Sequence, residues 1–339
     1  MKLPNGISIV ICTYNGVARL QPTLESIFAL KINAEISWEL IVVDNASTDG
    51  TSAFCKSIID KHSFQEKCRI VFEENPGCNN ARLRGLQETK YKWLLFCDDD
   101  NHLFSEYIDK AWSILEANPQ IGVLGGQGVP LFESVKPDWF DQYSRSFAIG
   151  PQAKKEGELK NKCTKLYSAG SFFRKEVLMF YYDRNFKTIM VGPKGDDLTR
   201  GEDTEWCFLI QLQGFSLWYS NDLKFYHFMT NTRMTWDYYL KLKKGISSGA
   251  AKMESYSLFF KRKNPSNVSF LLHYFKWLIY YHSIWFQFKW RSKLQPKRYS
   301  KQQFDLGSVV NFTRAIAFRN HFKVTYSHFK QLKEILGAY

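Results

Sequence analysis

The sequence predicts an α/β fold on a mostly parallel sheet, followed by a helical, aromatic and basic C-terminal region. Three observations predict it. Short, almost continuous apolar runs alternate with helically periodic segments over the first hundred residues. Polar, acid-rich residues follow each of those runs. Beyond residue 240 the charge changes sign and aromatic residues crowd together.

Residues 7–12 (ISIVIC) are an apolar run between Asn5-Gly6 and Asn15-Gly16, the pattern of a buried strand. Leu20, Leu24, Ile27 and Phe28 recur at helical spacing, which predicts a helix over 20–30. Residues 38–43 form a second strand ending at Asp44, residues 47–50 a turn, and 51–61 a helix. A short third strand is expected over 69–72 and a helix over 79–88. A fourth strand, 93–97, runs into Asp98-Asp99-Asp100. Strands that are apolar throughout belong to parallel sheets covered on both faces. Such sheets bind ligands beyond the carboxyl ends of their strands. There the polar residues collect: Thr13-Tyr14-Asn15, Asp44-Asn45, Glu73-Glu74-Asn75 and Asp98-Asp99-Asp100.

Further on, a helix is expected over 103–116, a strand over 121–124 with a Gly-rich turn, and an irregular excursion over 132–165. A strand over 166–173, a polar loop over 196–200, a helix over 202–213 and strands over 217–220 and 223–227 follow. No internal repeat is present.

With 339 residues, 45% of them hydrophobic, the chain suffices for one large domain or two smaller ones. The seven cysteines are odd in number and form no C-x-x-C pair, which argues against a disulfide framework or zinc ribbon. The first residues lack the basic region and long apolar run of a signal peptide, so a cytoplasmic setting is expected. From Lys241 onward nineteen Lys and Arg face three acids, +16 of a net +13, leaving the first 240 residues at −3. That surplus suggests a polyanionic partner, whether membrane lipid, nucleic acid or phosphorylated substrate, or else a solvated basic face.

Three adjacent aspartates at a strand end repel one another. A hard divalent cation held by one or two carboxylates and by substrate phosphates relieves that cost; a solvated acidic turn or helix cap is the alternative. Glu202-Asp203 follows Gly201 at the start of a predicted helix, where the helix dipole stabilises a carboxylate. Ordinary N-terminal capping by acids explains the same pattern. Asp196-Asp197 is a donor- or acceptor-contacting candidate, or a solvated loop.

Residues 8–16 (SIVICTYNG), 42–51 (VVDNASTDGT), 75–85 (NPGCNNARLRG) and 94–101 (LLFCDDDN) resemble, in order and spacing, the signatures of family 2 glycosyltransferases. Residues 201–208 (GEDTEWCF) resemble the family's acidic catalytic motif, and 169–176 (AGSFFRKE) the segment before it. The resemblance spans residues 5–230. It implies a GT-A fold over 1–235: a Rossmann-like nucleotide-sugar half, 1–101, and an acceptor half, 102–235. Residues 236–339 would form the helical basic region.

The resemblance also implies roles. Thr13, Tyr14 and Asn15 would line nucleobase and ribose, and Asp44 would contact the base, most often uracil. Arg82 would approach base or diphosphate. Asp98 and Asp99 would lie at the nucleotide sugar. Asp98 and Asp100, the D-x-D pair, would hold Mn2+ or Mg2+, with His227 closing the site on metal or diphosphate unless it is structural. Asp203 would be the base of an inverting transfer, Glu205 a weaker alternative. Trp206 would pack in the core or under the acceptor. The sequence departs from the family at Asn101, where a further Asp is common.

The implied reaction moves a sugar from a nucleoside-diphosphate sugar, in this family most often a UDP-sugar, to an acceptor hydroxyl. The expected acceptor is a glycan or lipid-linked glycan in cell-surface polysaccharide assembly. Residues 270–290 are apolar and aromatic, but His273, Lys276, His282 and Lys289 interrupt them, so a transmembrane span is disfavoured. They suit helices lying on an anionic membrane at its inner face, or a packed helical hairpin. No zinc-finger or RNA-recognition signature supports nucleic acid as a partner. Two alternatives stand beside the transferase: a nucleotidyltransferase of related fold, which would need a Gly-rich basic loop after the first strand, and a non-catalytic sugar-binding relative.

Overall fold

The structure is a computed structural model that describes residues 3–161, 163–192 and 198–337. Asp196 and Asp197 lie outside the described residues. The chain divides into two compact units: Met1–Phe180 with Trp206–Met234, and Tyr181–Glu205 with Thr235–Tyr339.

The first unit is built on one sheet. Strand β1 (Ile7–Thr13) leads through helix α1 (Leu20–Phe28) to β2 (Trp38–Asn45), and through α2 (Thr51–Ile59) to β3 (Cys68–Glu73). Helix α3 (Cys78–Glu88) then returns the chain past β1, and β4 (Trp93–Asp98) pairs on its free side. All pairings among these four strands are parallel. Because crossovers are right-handed, stepping outward and then back puts α1 and α2 on one face and α3 on the other. Side-chain alternation agrees. Ile9, Ile11, Val42 and Leu95 share a core with Leu20, Leu24 and Cys55. On the other face a Cβ on Gly85 of α3 would come within 2.5 Å of Val10.

Beyond β4 the chain adds β5 (Asn101–Leu103), α4 (Tyr107–Ala117), β6 (Ile121–Phe132), α5 (Phe140–Tyr143), β7 (Gly157–Glu158) and β8 (Ser171–Arg174). Helices α6 (Lys175–Tyr182) and α7 (Glu202–Leu212) precede β9 (Ser216–Met229). The sheet runs β3-β2-β1-β4-β8-β6-β9-β5, with β7 on β9. This half mixes directions: β8 is antiparallel to both β4 and β6, whereas β6 and β9 are parallel.

The strand expected over 166–173 forms only at Ser171–Arg174, and two further elements also differ from their sequence patterns. The predicted four-residue strand and Gly-rich turn at 121–128 is a 12-residue strand. None of its glycines turns the chain: Gly126 and Gly128 admit neighbouring backbone, and a Cβ on Gly126 would lie 2.0 Å from the carbonyl oxygen of Leu223, while Gly122 and Gly125 admit side chains. Its partner β9 is likewise one 14-residue strand instead of two, with a register shift opposite Gly125–Gln127.

The second unit is helical: α8 (Trp236–Ser248), α9 (Ala250–Lys261), α10 (Asn267–Leu294), α11 (Lys301–Asn320) and α12 (Phe322–Gly337), with residues 181–205 grouped among them. Phe270, Tyr274, Phe318 and Phe329 are buried, and the ring centroids of Phe270 and Phe329 are 4.6 Å apart. Helix α10 is unbroken over 28 residues and capped by Ser266. It packs on α11 through Tyr274–Phe318 and Trp285–Phe312, so part of the 270–290 aromatic run is core. Among the described residues no helix is long and apolar enough to cross a membrane.

Candidate active site

The strand order reverses between β1 and β4, which opens a crevice beyond their carboxyl ends. Cys12 pairs with Asp98, so Thr13 and the three aspartates emerge side by side. Thr13 Oγ1 donates to Asp99 Oδ2 at 2.7 Å. Asp99 also accepts from Arg19 at 2.8 Å, and its main-chain oxygen from Thr23 Oγ1 at 3.0 Å. Burial pushes the Asp99 carboxyl upward and neighbouring Asp100 adds to this, while Arg19 and Thr13 oppose it.

Asp100 has a different environment. Arg233 Nη1 donates to its Oδ2 at 2.6 Å, Asn101 Nδ2 to its Oδ1 at 2.9 Å, and His227 Nε2 stands 3.4 Å from Oδ1. Register explains the histidine, because Asn101 pairs with His227 across β5 and β9. Burial alone would raise the Asp100 carboxyl; His227 and Arg233 outweigh it and hold the group well below the ordinary carboxylate range. Asp98 is more open, with a side chain 36% exposed and Arg82 Nη2 3.4 Å from Oδ1. Arg82 is itself buried against the face of Phe96, 5.5 Å from its centroid.

The loops around the crevice are tied together. Asn15, in the left-handed region at φ 49°, donates its N–H to Ser47 and accepts from Thr48 N at 2.9 Å. A Cβ on Gly16 would meet Thr13 Oγ1 at 2.1 Å. Asp44 is buried and accepts from Ser47 N at 3.1 Å and from the Ser52 hydroxyl. Asn45 bridges to the loop after β3, donating to Asn75 O at 2.7 Å and accepting from Gly77 N at 2.8 Å. Tyr14 is 55% exposed.

The model of the family described as Glycosyl transferase family 2 matches residues 8–181, more than half of the chain. The chain belongs to glycosyl transferase family 2. Over 235 residues it is 22% identical to a glucosyl-dolichyl phosphate glucuronosyltransferase of Haloferax volcanii, covering 68% of this chain and 72% of that one. Over 99 residues it is 35% identical to a dolichyl-phosphate beta-glucosyltransferase of Saccharomyces cerevisiae, covering 28% of this chain and 29% of that one. The chain spans between 29% and 39% of the length of several curated relatives, the yeast protein among them. In fold it is similar to residues 1–349 of Staphylococcus aureus TarS, solved in complex with UDP-GlcNAc: TM-score 0.50, 15% identity, 98% of this chain and 91% of that one. The fold is GT-A, with a helical C-terminal region.

In this family 2 chain, then, Thr13, Arg82, Asp98, Asp99, Asp100 and His227 gather around the ends of β1, β4 and β9. Asp44 and Asn15 lie in the adjoining loops. Asp203 stands in the first turn of α7 and accepts from its neighbour Thr204 N at 2.6 Å. Gly201 before it has φ 139°, the left-handed side that favours glycine. Three residues further along, Trp206 is 2% exposed and packs on Phe96 and Phe173. Glu205 is wholly buried, accepting from Ile189 N at 3.0 Å and from Tyr256 Oη at 2.6 Å. Burial pushes its carboxyl up, and bonds from Thr188 and Tyr256 counter that.

The sequence reading missed Arg19 and Arg233, the counter-charges of Asp99 and Asp100. The demand was legible, since three consecutive aspartates need cations, but no spacing rule names the donor. Asp98 and Asp100 are oxygen ligands suited to a hard divalent ion, which takes one or two carboxylates and completes its shell with substrate phosphates and water. Nδ1 of His227 is buried without a hydrogen-bond partner among the described residues. Among the described residues no three His, Cys, Asp or Glu side chains form a group that could hold a metal.

Proposed function

We propose that this chain is an inverting glycosyltransferase, moving a sugar from a nucleoside-diphosphate sugar, a UDP-sugar, to an acceptor hydroxyl. The convergence of Thr13, Arg82 and Asp98–Asp100 at the switch point of a parallel sheet carries the reading. Thr13, Tyr14, Asn15 and Asp44 border the nucleoside, and Arg82 and Asp99 lie toward the diphosphate sugar. Asp98 and Asp100, with His227, would hold Mn2+ or Mg2+. Such an ion supplies Lewis-acid neutralisation of the leaving diphosphate. Asp203 takes the acceptor proton as the hydroxyl oxygen bonds to the anomeric carbon and the carbon–phosphate oxygen bond breaks. One displacement inverts the anomeric centre.

The acceptor is a lipid-linked glycan of cell-surface polysaccharide assembly, met at the inner face of the membrane. The names of the Haloferax and yeast relatives both contain a dolichyl phosphate, which supports a lipid-linked acceptor. The basic C-terminal hundred residues support the membrane setting.

The test is nucleoside-diphosphate release from a panel of sugar nucleotides with manganese present. At least one UDP-sugar is expected to turn over, and Asp203→Asn to slow transfer roughly 10²–10⁴-fold with donor affinity unchanged. Release of pyrophosphate from a nucleoside triphosphate would instead identify a nucleotidyltransferase. No turnover of any donor would leave the non-catalytic reading standing.

A further inference from the structure

We propose that the outer face of α10 is a docking surface for an anionic lipid bilayer, on which the helix lies in the plane of the headgroups. Val268, Leu272, Phe275, Ile279, Phe286 and Trp290 are between 48% and 70% exposed. Their spacing follows the helical repeat, so they form one stripe along a helix about 42 Å long. The opposite side of the same helix supplies the buried Phe270 and Tyr274. The stripe is therefore a second apolar face on a helix whose first face is already in the core, and a run of large exposed apolar side chains marks an interaction surface.

Charge decides the occupant. Residues 255–304 contain ten Lys and Arg and no Asp or Glu. Lys276, Lys289 and Arg291 are exposed on α10 itself. A second copy of this chain would bring the same positive charge to the contact, and like-charge juxtaposition opposes pairing. Nucleic acid would satisfy the charge but give Leu272 and Ile279 nothing to bury against. An anionic bilayer satisfies both: the apolar side chains enter the acyl boundary while long basic side chains reach up to the phosphates. The proposal deepens the membrane setting given above and rests on that part of the reading alone.

The experiment is flotation of the full chain with phosphatidylcholine vesicles that contain or lack phosphatidylglycerol, at low and high salt. The wild type is expected to float with the phosphatidylglycerol vesicles at low salt only. Leu272→Glu/Ile279→Glu, and separately Trp290→Glu at the far end of the stripe, are expected to weaken binding at least about tenfold. Lys276→Gln and Lys289→Gln are each expected to weaken it about fivefold. Circular-dichroism melting, unchanged because all these side chains are exposed, shows that the variants fold. The proposal fails if the wild type ignores anionic vesicles or if the stripe variants bind them undiminished. It also fails if Ile279→Glu dissociates a dimer, or if the stripe binds oligonucleotide in place of lipid. Donor turnover by the same variants, expected unchanged, separates failure of this surface from failure of the transfer reading.

Discussion

At the residue scale the molecule solves an electrostatic problem. Asp98, Asp99 and Asp100 leave a strand end together, and each has its own arginine: Arg82, Arg19 and Arg233. Their burial differs and so does their chemistry. Asp99 is pinned between Thr13 and Arg19, while Asp100 is held ionised by His227 and Arg233. Removing a charge partner leaves a buried group to bear its desolvation alone. Arg233→Ala is therefore expected to destabilise the protein by roughly 1–3 kcal/mol, read as a lower urea midpoint. An unchanged midpoint would mean that Arg233 is not what holds Asp100. The aspartates were legible in the sequence because they adjoin an apolar run. Arg233 was not, because a six-residue step from His227 through a 3-10 turn has no periodic signature.

At the element scale, local pattern named the buried strands well and the glycine-rich strand badly. β1, β2 and β4 carry mostly apolar runs and are buried along almost their whole length, as expected of strands covered on both faces. Residues 121–132 carry Gly122, Gly125, Gly126 and Gly128, a composition that reads locally as a turn. Here the glycines serve contact with β9 and its surroundings. Gly126→Ala would drive a methyl group into the Leu223 carbonyl oxygen, a backbone atom that cannot swing aside. A loss of about 1–3 kcal/mol is expected, measured by chemical denaturation. A neutral result would show that β6 and β9 separate without cost. The C-terminal pattern was ambiguous for a related reason. Aromatics on α10 recur on both faces, one packing on α11 and one exposed, so periodicity alone could not assign them.

At the scale of the whole molecule, stability should depend on pH through a buried histidine. His328 is desolvated, and burial pulls its pKa down to about 3 from the ordinary 6.5. It sits within 2.9 Å of Ser255 Oγ and 3.2 Å of Tyr256 Oη, as a neutral ring. Below pH 6.5 the unfolded chain binds a proton that the folded protein refuses. Stability is thus full above that value and falls with decreasing pH, by up to about 1.4 kcal/mol per unit until the folded pKa is reached. Glu205, 3.5 Å from His328 Nε2, and Asp99 are both pushed up by burial and act in the opposite sense, so the histidine is read as the difference between wild type and His328→Gln. In urea titrations between pH 6.5 and 5 the wild type is expected to lose more stability on acidification than His328→Gln; equal slopes would locate the dependence elsewhere.

The sequence by itself determined the parallel half of the sheet, the acidic strand end, the family and the basic tail. Each of these is written in neighbouring residues, as a run, a spacing or a count, and local information survives without a fold. Only the tertiary structure decided which cations answer the aspartates, why β6 is glycine-rich, and which face of α10 is left exposed. Those facts join residues far apart in the chain, Asp100 with Arg233 and Gly126 with Leu223. Charge pairing and close packing act through space, and the chain order does not record which surfaces will meet.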